Sequence, residues 1–135
     1  MPTLIDASLW IDFTRAHSPR TIKYFVAPYI LHPDAHLAEP ITFEILRHAT
    51  AAEAKQLTQQ FQRLRMLARP PLLWAQATEL GQECRRKNIT VGSLDLLIAT
   101  IALHHGAEVV TFDGDYQRIA SVSKLQVKLL QRPTP

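Results

Sequence analysis

Cysteine is nearly absent from this chain: Cys84 is the only one among 135 residues. An internal disulfide is therefore excluded, and a thiolate-rich zinc site with it, so a reducing compartment suits the composition. Long apolar runs are missing as well. The most hydrophobic stretch, Leu94 to Leu103, contains Asp95 and Thr100 and runs into His104 and His105, far short of the roughly 20 apolar residues that a membrane span requires. The opening MPTLIDASLWIDF has neither the basic start nor the apolar core of a secretory leader and meets Asp6 almost at once. Internal repeats, low-complexity tracts and linkers are also lacking. A cytoplasmic protein with no membrane segment is expected.

What is present is enough apolar material for one core. At 47% hydrophobic residues the chain can fold without covalent or metal staples. A single domain over residues 1–131 is expected, with the Pro-rich end at 132–135 as a loose tail. The formal charge of +3 and a pI near 9.3 make the chain mildly basic. That suits a polyanionic partner without demanding one.

Apolar patterning divides the chain into alternating elements. Thr3-Leu4-Ile5 reads as a strand ending at Asp6, with Ser8 as the N-cap of a following helix that carries Leu9, Trp10, Ile11 and Phe13. Ile22, Phe25, Val26, Tyr29 and Ile30 are spaced for one helical face, which Pro28 should shorten or bend. A short strand fits at His36 to Ala38. From Ile41 to Leu67 the pattern is helical and reads as a hairpin of two helices joined near Ala51. Trp74 to Lys87 forms another helix, with Asn88 as its stop. Ser93 is then the expected N-cap of a helix closed by Gly106. Ala107 to Thr111 reads as a buried strand ending near Asp113, and Leu125 to Leu130 as a final strand. The sum is a three-layer α/β domain: a mostly parallel central sheet flanked by helices, with an inserted helical hairpin.

In a parallel sheet the strands' C-terminal ends share one edge, and ligands bind in the crevice there. Asp6 and Asp113 both follow strands and are expected to meet at that edge. Asp95 falls in the first turn of its helix, where the partial positive charge of the helix start favours the ionised carboxylate. Chain order alone suggests that this helix begins at the opposite edge unless it crosses the top of the sheet. Glu44 lies in the first turns of the helix near Ile41, with Glu39 as a rival for the same role, and Asp115 follows Asp113 across Gly114. Carboxylates gathered without thiolate or histidine form an all-oxygen site suited to Mg²⁺ or Mn²⁺. Such sites activate water and stabilise negative charge on a phosphoryl group, which points to phosphodiester hydrolysis.

The stretches LIDASLWID around Asp6, ITFEILRHA around Glu44, VGSLDLLIATIALHHGAEVVTFDGDY through Asp95 and Asp113, and the closing LQVKLL resemble the PIN-domain ribonucleases. The likeness is to the VapC-type toxins of toxin–antitoxin pairs, and it covers nearly the whole chain. It implies a PIN-like fold that brings Asp6, Glu44, Asp95 and Asp113 together as the catalytic metal-binding acids, supported by Ser8 and Asp115. It further implies an Mg²⁺- or Mn²⁺-dependent endoribonuclease acting on RNA, a homodimer, and inhibition by a cognate antitoxin whose C-terminal segment enters the acidic groove. Two departures stand out. Arg47-His48 occupies a place where relatives carry a small residue, and Tyr116 replaces a phenylalanine.

Two other readings compete. One is a catalytically silent PIN-like RNA-binding or regulatory subunit, against which retention of all four acids argues. The other is a phosphotransfer fold such as a haloacid-dehalogenase phosphatase, which needs a second aspartate two residues after the first, where this chain has Ser8. His104 and His105 are adjacent and point apart on a helix, so they make a poor zinc pair. Arg63, Arg65, Arg69 and the Arg85-Arg86-Lys87 run are either phosphate contacts or solvated helix faces. Trp10 and Trp74 are expected in the core rather than as base-stacking platforms.

Overall fold

The computed structural model describes residues 1–134. Five strands, β1 (Thr3–Ile5), β2 (Ala35–Leu37), β3 (Arg65–Met66), β4 (Glu108–Thr111) and β5 (Gln126–Leu129), form one sheet in the order β3-β2-β1-β4-β5, and every pairing is parallel. Around it lie α1 (Ala7–Thr14), α2 (Arg20–Ile30), α3 (Glu39–Arg47), α4 (Ala51–Phe61), α5 (Leu73–Arg86), α6 (Ser93–His105) and α7 (Asp115–Ala120). No helix among the described residues is long and apolar enough to cross a membrane.

The central strands are buried on both faces, which their composition requires. Leu4, Ile5, Val109 and Val110 are all buried, and the covering helices contribute Leu9, Trp10, Val26, Ile41, Ile98 and Ile101 to the same core. Each fully buried aliphatic side chain contributes about 1.5–3 kcal/mol. The apolar face of α2 falls where its spacing predicts, with Ile22, Val26 and Ile30 inward, and the helix runs through Pro28 to Ile30 without ending early. Leu57 and Leu67 are likewise buried, so both of these faces serve the core.

The helix starts differ from the sequence expectation. Asp6 itself occupies the N-cap position of α1, leaving Ser8 inside the first turn, and Gly92 rather than Ser93 precedes α6. In both cases the chain turns straight from extended backbone into helix and leaves no room for a separate capping residue. Between α3 and α4 the join behaves as a designed start. Thr50 accepts from the Glu53 amide at 3.2 Å while Glu53 Oε1 accepts from the Thr50 amide at 2.9 Å, a complete capping box.

Strand β3 interrupts the stretch up to Leu67 that reads as helical: α4 ends at Phe61, and Arg65 and Met66, both exposed, pair with β2 as the sheet's edge, where no buried apolar face marks a strand. Trp74 also departs from expectation: its side chain lies on the surface, at 68% exposure. At the C-terminal end Arg132 is held rather than loose, its Nε donating to Asp12 Oδ2 at 2.8 Å and its guanidinium lying 4.4 Å from the Phe112 ring. The last residue of the expected tail, Pro135, lies outside the described residues.

Candidate metal centre

The chain leaves β1 toward β2 and β3, then returns to the other side of β1 to lay down β4 and β5. The order therefore reverses between β1 and β4, the switch point where open parallel sheets form their binding crevice. Asp6 and Asp113 emerge there from adjacent strands. The Asp6 amide donates to the Val110 carbonyl at 3.0 Å, so the register of the β1–β4 pair extends past the end of β1.

Asp6 is 5% exposed and accordingly well supplied with donors. Its Oδ2 accepts from Ser8 Oγ at 2.9 Å and from Thr111 Oγ1 at 2.8 Å, while the Tyr116 hydroxyl lies 3.4 Å from Oδ1. Burial raises its pKa above the ordinary carboxylate value, and the hydrogen bonds from Thr111 and Ser8 oppose that rise. The Thr111 hydroxyl also accepts from the Asp113 amide at 2.9 Å, so one side chain spans both strand ends. Asp113 Oδ1 in turn accepts from the Asp115 amide at 2.9 Å, which fixes the turn into α7.

Asp95 lies at this same edge, not the opposite one. The last turn of α6 is tied to the start of β4 through the Ala107 amide and the Ala102 carbonyl at 2.9 Å. A helix that returns the chain to a parallel strand must run against that strand, so its first turn comes level with the strand's end. One carboxylate oxygen each from Asp95, Asp113 and Asp115 lie within 4.8 Å of one another. The Asp95 pKa is pushed up to about 6, first by burial, then by Asp113, Asp6 and Asp115, against a hydrogen bond from Tyr116 that lowers it. The helix start that should favour its charge is outweighed by burial together with this crowding. Even so, a group titrating near 6 is mostly ionised at neutral pH.

Glu44 stands on α3, farther round the crevice. Burial raises its pKa, as do Asp6 and Asp113, while His48 and Arg47 pull it down, which puts the departing Arg47-His48 pair within electrostatic reach of the acids. Its rival Glu39 is exposed and paired with Arg69 at 3.4 Å. The structure thus brings Asp95, Asp113 and Asp115 closest, with Asp6 beside them through Tyr116 and Glu44 coupled through charge. Ser8 serves Asp6 directly.

Thr111 and Arg118 are participants that sequence patterning passed over, and Tyr116, which the sequence marked only as a replacement for phenylalanine, is a third. Thr111 ends an apolar run and Tyr116 is fully buried, so both look like core until the tertiary contacts are known. Arg118 pairs with Asp115 and donates to the Thr90 carbonyl at 3.0 Å. The histidines take no part in the cluster: His105 Nε2 lies 2.7 Å from the Ala68 carbonyl, its ring edge-on to His104. Arg63 and Arg65 line a cavity with His32, Pro33 and Asp34 at the sheet's other edge, where the strands begin.

An all-oxygen donor set of clustered carboxylates fits a hard divalent cation and lacks the imidazole and thiolate ligands that zinc and copper favour. Three carboxylates this close repel strongly in isolation, and that repulsion adds to burial, the larger cause, in raising the Asp95 pKa. Fold and site together define a class: an open parallel α/β domain with a cluster of carboxylates at its switch point whose donor chemistry fits a divalent cation.

The family model for the PIN domain matches residues 3–122. Ribonuclease VapC11 of Mycobacterium tuberculosis is 31% identical over 131 residues, spanning 91% of this chain and 95% of that protein. The chain belongs to the PIN-domain family, with the VapC ribonucleases among its relatives. Solved structures share the fold. VapBC2 from Rickettsia felis, bound to a DNA fragment from its promoter, superposes with a TM-score of 0.76 at 16% identity over 97% of this chain and 100% of that one. VapBC-1 from nontypeable Haemophilus influenzae gives 0.72 at 18% identity over 96% and 98%.

Proposed function

We propose that this protein is an Mg²⁺- or Mn²⁺-dependent endoribonuclease that hydrolyses phosphodiester bonds in RNA, acting as the toxin of a toxin–antitoxin pair. The observation that carries the reading is the convergence of Asp95, Asp113 and Asp115, with Asp6 beside them, at the switch point of a PIN-family chain. Asp6, Glu44, Asp95 and Asp113 are the residues that would hold the cation. When bound there, it supplies activation of water and stabilisation of negative charge on the phosphoryl oxygens. The chain's own part is to hold these carboxylates in place. Ser8 and Thr111 orient Asp6, the Asp115 amide orients Asp113, and the Tyr116 hydroxyl lies between Asp6 and Asp95.

Partners belong to the same reading. Relatives solved as VapBC complexes make a cognate antitoxin the natural inhibitor, with the acidic crevice as the place its basic side chains would enter. A homodimer is supported by the apolar groove between α3, α5 and α6, where Phe43 and Trp74 are exposed beside Leu94 and Leu97. A cytoplasmic location accords with an RNA substrate and with one buried, unpaired thiol.

The test is cleavage of structured RNA by purified protein with Mn²⁺, with EDTA, and with the variants Asp6→Asn and Asp95→Asn. Cleavage should stop in EDTA and fall about 100-fold or more in each variant, in line with the loss of an electrostatic catalytic group. Cleavage that persists in EDTA, or that survives undiminished in Asp95→Asn, would overturn the proposal. Mn²⁺ binding without turnover on any RNA would instead favour the silent RNA-binding reading.

A further inference from the structure

The pair formed by Arg118 and Asp115 differs from an ordinary surface ion pair in what surrounds it. An exposed pair three residues apart on a helix is worth about 0–1 kcal/mol. Asp115, however, is one of the three carboxylates whose oxygens crowd within 4.8 Å. Among the described residues Arg118 is the cation paired with a member of that cluster. The same terminal nitrogen donates to the Thr90 carbonyl at 3.0 Å, 28 residues away, in the segment that leads into the first turn of α6. One guanidinium therefore fastens the turn bearing Asp113 and Asp115 to the segment bearing Asp95, and places a positive charge where the carboxylates repel one another.

We propose that Arg118 is a resident counter-cation of the acidic centre, holding Asp115 in the metal-free protein and competing with an incoming divalent cation for that carboxylate. The proposal rests on the metal-site reading above. Its consequence is a division of labour: Asp6, Glu44, Asp95 and Asp113 bind the cation, while Asp115 is held by Arg118 and contributes little. A side chain that stabilises the empty site more than the filled one lowers metal affinity, because the two binding events are linked. Arg118 is thus a positioning residue that sets how much free metal the site requires.

Mn²⁺ titration by calorimetry, with no RNA present, tests this. Arg118→Gln should bind Mn²⁺ about fivefold more tightly than the wild type, a coupling of ordinary size. Its metal-free unfolding temperature should be lower than that of the wild type, with the gap closing at saturating Mn²⁺. Arg118→Lys, which keeps the charge, should return affinity close to the wild-type value. The gain should vanish when Asp115→Asn is added, since the competed carboxylate is then gone. Asp115→Asn alone should weaken binding by less than about threefold, and this variant decides the matter even if Arg118→Gln fails to fold. Unchanged or weaker binding by Arg118→Gln, or a loss of tenfold or more in Asp115→Asn, would overturn the proposal while leaving the metal site intact. Absence of Mn²⁺ binding by the wild type would remove the metal site and the proposal together.

Discussion

At the scale of single residues, the centre is governed by burial first and then by the carboxylate charge that the fold gathers around it. Asp95 shows this most directly. The folded protein retains its proton up to about pH 6, whereas the unfolded chain releases it near the ordinary value of 3.8. Between those values folding takes up a proton, so this group makes the metal-free protein less stable as the pH rises, and the penalty is complete above pH 6. Because Asp95 is only partly buried, solvent screening reduces the effect to about 1 kcal/mol. Thermal unfolding in EDTA should therefore show the gap between wild type and Asp95→Asn widening between pH 4.5 and 7, the variant being the more stable by about 1 kcal/mol at neutral pH. A gap that does not change with pH would show that the carboxylate is not under this load. Binding of Mn²⁺, which needs the ionised form, should weaken in the wild type as the pH falls below about 6. A residue that costs stability in the empty protein and is kept at the crevice is what a functional charge looks like.

At the scale of elements, starts and stops were legible where a side chain or a backbone angle leaves a local mark. Gly106 closes α6 in the left-handed region at φ 63°, the conformation that favours glycine, and it is the residue that links α6 to β4. Open space surrounds the position a Cβ would take there, so Gly106→Ala should cost about 1 kcal/mol through backbone strain alone. Gly114, at the turn beside Asp113, is also unobstructed but has φ −65°, an ordinary helical angle. Gly114→Ala should therefore change stability by less than about 0.5 kcal/mol, and chemical denaturation of the two variants side by side checks the contrast. The elements that escaped sequence reading lack such marks. Strand β3 is two exposed residues long, and the starts of α1 and α6 belong to Asp6 and Gly92 because each helix leaves extended backbone without a capping side chain.

At the scale of the whole molecule, the acidic crevice and the apolar groove lie on neighbouring parts of one surface. Phe43 on α3 precedes Glu44 in the chain, Leu94 on α6 precedes Asp95, and Trp74 on α5 lines the groove with them at 68% exposure. If this groove carries the homodimer, Trp74→Glu should convert the protein to a monomer in light scattering at micromolar concentration while leaving its circular dichroism unchanged. A dimer that survives the substitution would place the contact elsewhere. The apolar faces of α2 and α4 are poorer candidates, since Ile22, Val26, Ile30 and Leu57 are already spent on the core.

The sequence by itself determined the fold class, the parallel sheet and the acids Asp6 and Asp113, because strand ends and apolar periodicity are properties of neighbours along the chain. It also carried the PIN resemblance through Asp95. Tertiary structure alone decided which carboxylates approach one another: α6 had to run against β4 for Asp95 to reach the edge where Asp113 stands. It likewise revealed Thr111 bridging two strand ends and Tyr116 between two acids, since a buried hydroxyl reads as core until its partner, more than 100 residues away, is in place. Arg118 is the clearest instance of that limit. In the sequence it is one of fifteen basic residues, and only the meeting of α7 with the segment before α6 turns it into a charge within the acidic centre.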